Sequence, residues 1–236
     1  MSSNSAPRPA ATVILLRDGP HGLETLMLKR NQALMFAGGI WVFPGGAIDA
    51  EDRKDGDVSE LSAARRAAVR EAFEESGLLI DEKTLVNFSL WITPQAEPKR
   101  FHTWFFIAPT FSVEDVLIDN SEIVDHAWIA VNHALSSHEA GELGLFPPTL
   151  LSLKALAIYD TVEQAMTAIA NRKPYETTPI LTTEGDGDAQ IFFAGDAAYT
   201  GATPSPEGPR HRCILRNGTW HYLRSGLANN IERLDR

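Results

Sequence analysis

Within "REAFEESG", residues 70–77, an arginine and three glutamates share six positions: Arg70, Glu71, Glu74 and Glu75. On a helix, Glu71 and Glu75 stand one turn apart on one face and Glu74 flanks it, so the three carboxylates fall within about 100° of arc. Two carboxylates about 6 Å apart repel by about 3 kcal/mol at an effective dielectric of about 20. A hard divalent cation turns that repulsion into binding, because Mg2+ takes a few carboxylate oxygens together with water and substrate phosphate. Arg70 stands one turn before Glu74 and can pin it, in the weaker of the two orders for a helical ion pair. Alone, the stretch reads as a solvated helix face, since glutamate is a good helix former. Its neighbours decide.

Upstream stands "FPGGAIDAED", residues 43–52. Two glycines after a strand let the backbone approach a phosphate closely. Gly45 is followed after five residues by Glu51, and Arg70, Glu71, Ala72, Glu74, Glu75, Gly77 and Leu78 then follow in the order Arg-Glu-apolar-x-Glu-Glu-x-Gly-apolar. The combination resembles the Nudix box, a loop–helix–loop motif of hydrolases that cleave a diphosphate linked to another moiety. The resemblance implies Glu71, Glu74 and Glu75 as metal ligands, Mg2+ or Mn2+ as the ion, and Arg70 as the residue that orients a glutamate. It implies Gly45 and Gly46 as the pocket floor and attack of water on phosphorus, with the ion as Lewis acid. The base would be Glu71 or a glutamate of a later loop, for which Glu122 and Glu114 are candidates. Glu51 and Arg70 are separated by eighteen residues, about eleven more than the family pattern holds, which puts the role of Glu51 in question. Lengthening a surface loop costs only about 0.6 kcal/mol per doubling, and a further helical turn from Ser59 can absorb part of the insert.

An interrupted box is similar to that of one branch of the family, the enzymes like the mammalian peroxisomal coenzyme A diphosphatase. "WITPQAEPKRFHTWFF" (91–106) and "GELGLFPPTL" (141–150) resemble segments of that branch, with His102 where it has Asp. The segment "LMLKRNQALMFAGGIWVFPGG" keeps Arg30, Gly39, Phe43, Pro44, Gly45 and Gly46 of its coenzyme A signature, but has Asn31 for Ser and Met35 for the second Arg. Arg30 is therefore a substrate-binding candidate, and the loss of the second arginine removes a phosphate contact. The implied substrate is coenzyme A or an acyl-coenzyme A. The alternatives are ADP-ribose, a dinucleotide or a nucleoside triphosphate, and a regulatory module that binds a nucleotide without cleaving it. The resemblance covers residues 10–170.

Several elements must position these groups. "ATVILL" (11–16) and "TLMLKR" (25–30) read as a hairpin across the turn residues 18–24, and "IWVF" (40–43) as a short strand ended by Pro44, Gly45 and Gly46. Ser59 suits an N-cap for a helix to Ser76, with Gly77 as its stop and Leu61, Ala68, Val69, Ala72 and Phe73 as its apolar stripe. Residues 86–93, 102–108 and 122–131 read as strands, and 147–172 as two helices breaking near Asp160, with Pro147 and Pro148 at the start. In the tail from Pro174, "AQIFFAG" and "GTWHYLRS" read as strands. This mix indicates an α/β (α+β) domain layered on a central sheet, and the resemblance sharpens it to a Nudix-type α/β/α sandwich with a mixed sheet. We expect a loose residue 1–9 segment, a Nudix domain over 10–172, and a β-rich extension over 173–236 packed on the same domain or forming a homodimer contact.

The remaining residues bound the function. The 236-residue chain has 31 acidic and 21 basic residues, a net charge of −10, which argues against nucleic-acid or anionic-membrane partners and leaves a small-molecule diphosphate. One cysteine, Cys213, suits a reducing cytoplasm. The first sixteen residues lack a secretory pattern, no apolar run spans a bilayer, and "ERLDR" carries no peroxisomal tripeptide. "EGDGD" (184–188) reads as a turn, and "HRC" (211–213) as structural, since it has no partner pair for zinc. His102 and His126 read as satisfied strand histidines, and Trp91, Trp104 and Phe106 as core rather than a stacking platform for adenine. Lys99 and Arg100 read as part of a solvated turn or as a phosphate contact.

Overall fold

Alternating burial along the first strand divides the protein into two layers. In the computed structural model, which describes residues 6–33, 38–110, 115–118, 120–182, 189–201, 207–229, 231 and 233–235, β1 (Arg8–Gly19) points Ala11, Val13 and Leu15 into one apolar cluster and Ile14 and Leu16 into another. This is the period of two of a strand buried on both faces. β2 (Gly22–Arg30) returns after two residues, with Gly19 opposite Gly22, a tighter hairpin than the turn expected over 18–24. β3 (Trp41–Val42) pairs with the far end of β2. β4 (Gly45–Ala47) lies antiparallel on β1, so the glycines expected to end a strand begin another.

The box helix α1 spans Glu60–Ser76, is preceded by Ser59, and closes at Gly77 in the left-handed region (φ 71°). These are the expected boundaries. Ser59 makes no side-chain capping bond, and the stripe differs from expectation. Phe73 is exposed, and Ala63, Ala64, Ala67, Ala68 and Ala72 make the buried face, joined at its edge by partly buried Leu61 and Val69. Small side chains bring α1 close to β1 and β4.

β5 (Val86–Ile92) and β6 (Phe101–Pro109) form a hairpin, and β6 runs parallel to β1 along Arg8–Leu16. β7 (Ile123–Ala130) completes the other side of β2. α2 (Val131–Glu139), which the periodicity did not indicate, leads to α3 (Pro147–Leu156) and α4 (Val162–Ala170), the two helices expected around Asp160. β8 (Tyr175–Thr177) adds a parallel edge to β5. The eight strands form one mixed sheet, with α1 on one face and residues of α2, α3 and α4 in the core of the other. This is the expected α/β/α sandwich.

A second, antiparallel sheet of four strands follows: β9 (Ile180–Thr182), β10 (Gln190–Phe192), β11 (Arg210–Arg216) and β12 (Thr219–Ser225). Its Cys213 and Trp220, with Phe193 just past β10, belong to the same buried cluster as Ile14, Phe105 and Leu150. No helix among the described residues is long and apolar enough to cross a membrane.

Candidate active site

The insert that splits the box is taken up in two ways. α1 begins at Glu60, ten residues ahead of Arg70, so much of the extra length is helix. The remainder is a loop laid against the helix by two arginines. Arg66 donates to the carbonyl of Asp52 and to the carboxylate of Asp57, and Arg70 reaches Asp52.

Arg70 is the hub. Its Nη2 donates to Asp52 Oδ2 (2.8 Å) and to the carbonyl of Ala47 (3.0 Å), and its Nη1 to Glu71 (2.8 Å) and Glu74 (3.1 Å). The Asp52 side chain is 4% exposed. Burial opposes its charged form, yet the bonds from Arg70 and from the Asp49 N–H outweigh burial and hold the carboxyl below the usual range. Glu51 is 74% exposed and lies 4.0 Å from Arg70 at closest approach. The anchor inside the loop is therefore Asp52, one residue later than the motif spacing indicated. Only the acidic pair 51–52 hinted at it in the sequence.

The three glutamates do not share one environment. Glu74 is exposed and held by Arg70. Glu71 is largely buried beside Gly46, where a Cβ would fall 2.3 Å from its Oε1. Burial raises the Glu71 carboxyl despite Arg70. Glu75 accepts a bond from the Gly45 N–H (2.9 Å). Burial, followed by the negative fields of Glu71 and Glu122, pushes its carboxyl up to about 8, against the pull of Gly45 and Arg30. Gly45 itself admits no Cβ, which would lie 2.5 Å from the Ala11 carbonyl oxygen. The two glycines thus let β4 pass between β1 and the acidic face of α1.

Glu122, at the entry to β7, is half-exposed and paired with Arg30. The chain is fixed there by the Asn31 N–H, which donates to the Glu122 carbonyl, and by Asn31 Nδ2 on the Ser121 carbonyl. Arg30 Nε is buried without a hydrogen-bond partner among the described residues. Arg30, Gly45, Glu71, Glu75 and Glu122 thus meet at one end of the sheet. Among the described residues no three His, Cys, Asp or Glu are grouped to hold a metal ion. Glu71 and Glu74 are both turned onto Arg70.

The other candidates lie elsewhere. Trp104 and Phe106 face α1, and Trp91 lies on the opposite face. His102 stands 3.6 Å from Glu60, and His126 pairs with Leu28 across the β2–β7 ladder. Arg100 donates to the Thr93 carbonyl, and Lys99 is exposed. His211 is buried, with Nδ1 on the Ala194 carbonyl. Met35, Glu114 and residues 184–188 lie outside the described residues.

The NUDIX domain matches residues 6–147, more than half of the chain. "Putative nudix hydrolase 7" of Caenorhabditis elegans is 28% identical over 230 residues, 83% of this chain and 75% of that protein. The acyl-coenzyme A diphosphatase NUDT19 of Homo sapiens is 23% identical over 273 residues, 75% of this chain and 72% of that protein. The crystal structure of a NUDIX hydrolase from Alicyclobacillus acidocaldarius shares the fold with a TM-score of 0.65 at 24% identity, over 72% of this chain and 99% of that one. Glycine strip, split box and glutamate helix together have their counterpart in one family: the chain belongs to the Nudix hydrolases.

Proposed function

We propose that the protein is a divalent-metal-dependent hydrolase of the diphosphate linkage in a nucleoside-diphosphate-linked compound, with coenzyme A or an acyl-coenzyme A as the leading substrate. The observation that carries this reading is the acidic face of α1 set against the glycine strip, with Glu75 on the Gly45 N–H and Glu71 against Gly46; burial, with Glu71 and Glu122 nearby, raises the Glu75 carboxyl to about 8. A site that crowds carboxylates at this cost suits a cation that relieves it. The donors are all oxygen, which suits Mg2+ or Mn2+. Glu71, Glu74 and Glu75 would hold the ion, and Arg70 would release Glu71 and Glu74 towards it while remaining anchored on Asp52.

When bound, such an ion supplies Lewis acidity and eases ionisation of the attacking water. The chain supplies the rest. Glu122 is the candidate base, supported by its place in the field of Glu75. Arg30 is the candidate phosphate contact, supported by its unpaired Nε beside the acidic face. Gly45 and Gly46 keep the floor open. Coenzyme A is favoured by Arg30 with "FPGG" and by the likeness to a relative named for acyl-coenzyme A. We read residues 173–236 as an extension of the same domain, because Cys213 and Trp220 share its core. The buried thiol accords with a cytoplasmic setting.

The test is incubation with Mg2+ or Mn2+ and a panel of coenzyme A, acyl-coenzyme A, ADP-ribose, dinucleotides and nucleoside triphosphates, with products identified by mass. Release of 4′-phosphopantetheine and adenosine 3′,5′-bisphosphate from coenzyme A is the expected result. No turnover of any member would refute the catalytic reading in favour of a nucleotide-binding module.

A further inference from the structure

The cavity on the sheet face opposite α1 has no part in the chemistry above. It measures about 500 Å3, within the range of small-molecule sites, about 300–1,000 Å3, whereas packed cores leave few voids larger than a water molecule. Every residue of Trp91–Pro94 and of Phe146–Thr149 lines it. Both stretches lie within the segments 91–106 and 141–150 that resemble the coenzyme A branch. Phe101 and Phe105 of β6 form the floor. The opposite wall is the second sheet, through Leu181 of β9, Ile191 of β10 and Trp220 of β12. The cavity reaches Phe43, two residues before Gly45, and Thr12, which pairs with Gly45 across the β1–β4 ladder. The glycine strip therefore separates it from the glutamates.

The lining selects the occupant. Among the described residues it contains no lysine, arginine or histidine, and its one charged side chain is Glu97. A phosphate would meet no cation there and one anion. A nucleobase brings several edge donors and acceptors that need matched partners, and the lining offers few, namely threonine hydroxyls, the Glu97 carboxylate and the Trp91 indole N–H, which has no hydrogen-bond partner among the described residues, set between apolar, aromatic and proline walls. An alkyl chain needs neither.

We propose that this cavity binds the alkyl or acyl chain of a chain-bearing diphosphate substrate, and that the C-terminal sheet, through Leu181, Ile191 and Trp220, sets the preferred chain length. The proposal rests on the diphosphatase reading, and the two are separable by experiment. The first measurement is calorimetric binding of linear alcohols from butanol to decanol to the full chain without metal. Affinity should rise about fourfold per methylene until the cavity is full. Ile191→Trp and, independently, Leu181→Trp should abolish that rise, with near-ultraviolet circular dichroism confirming that each variant is folded. The second measurement is the ratio of kcat/KM for an acylated compound to that of its unacylated parent. It should exceed about tenfold in the wild type and fall towards one in the filled variants.

Alcohol binding without turnover of any diphosphate would overturn the diphosphatase reading and leave the cavity as an apolar-chain site. Turnover with a ratio near one in the wild type would overturn the proposal. So would alcohol affinity that is independent of length, or adenosine binding that the same substitutions remove while alcohols do not bind.

Discussion

Replacing Glu75 by glutamine should stabilise the metal-free protein and abolish its activity. The wild-type carboxyl is raised from its ordinary 4.5 to about 8. Between those values the folded state keeps a proton that the unfolded state has released. The associated stability is full below pH 4.5 and is lost as pH rises through 8. At about 1.4 kcal/mol per unit, a rise of this size corresponds to an upper bound of about 5 kcal/mol once both states are ionised. Glu75 keeps some contact with water, so the expected measured difference is about 2–3 kcal/mol. Glutamine retains an oxygen for the Gly45 N–H and carries no charge. Urea denaturation in a chelator from pH 4.5 to 9 should show the two proteins alike at the acid end. Glu75→Gln should pull ahead progressively from about pH 5, with its lead constant above about pH 8, and its turnover should fall at least about a hundredfold at every pH. Parallel stability curves across that range would refute the reasoning, because Glu75 would then carry no strain for a cation to relieve.

The loop anchor gives a paired test: Asp52→Asn should lower kcat by about tenfold or more and destabilise by about 1–3 kcal/mol, because partly buried Arg70 loses its charged partner in the loop, while Glu51→Gln should leave both within about twofold and 0.5 kcal/mol, as read by kinetics and urea titration. The two glycines should separate stability from activity. Gly45→Ala drives a Cβ into β1 backbone and should lower Tm by several degrees, whereas Gly46→Ala meets only the movable end of Glu71 and should cost activity with a small change in Tm. Glu122→Gln should lower kcat by about a hundredfold with KM little changed; an unchanged kcat would assign the base elsewhere.

The site was legible where local covalent spacing dictates geometry and obscure where the chain must be closed in space. Arg70, Glu71, Glu74 and Glu75 lie within two helical turns, so their common face follows from 3.6 residues per turn. Gly77 could be read as the stop because only a left-handed residue ends the helix there. Asp52 could not be separated from Glu51, since a loop of unknown path decides which acid turns inward. Phe73 was assigned to the core by hydropathy, but alanines allow α1 a closer approach to the sheet than a phenyl ring would. In the tail, "HRC" (211–213) reads only as structural, without the strand β11 that contains it. Arg212 is in fact buried against Asp196 at 2.6 Å. The strands β8 and β9, three residues each, are too short to show a period, whereas β10 falls within the strand expected over "AQIFFAG". His138 shows the same limit: buried between the Leu143 and Trp220 carbonyls, it depends on a partner 82 positions away.

The order of elements along the chain also sets an order of birth on the ribosome. The glutamate helix ends at Ser76, and β6, the parallel neighbour of β1, ends at Pro109. The strand that carries Trp220 is finished at Ser225. At about 5–20 residues per second, the acidic face precedes the last wall of the apolar cavity by roughly seven to thirty seconds. Until then Phe105 and Leu150 lack the partners that Cys213 and Trp220 bring to their cluster. A nascent chain would pass through a stage with its carboxylates assembled and its apolar face open, a stage at which chaperones have most reason to bind it.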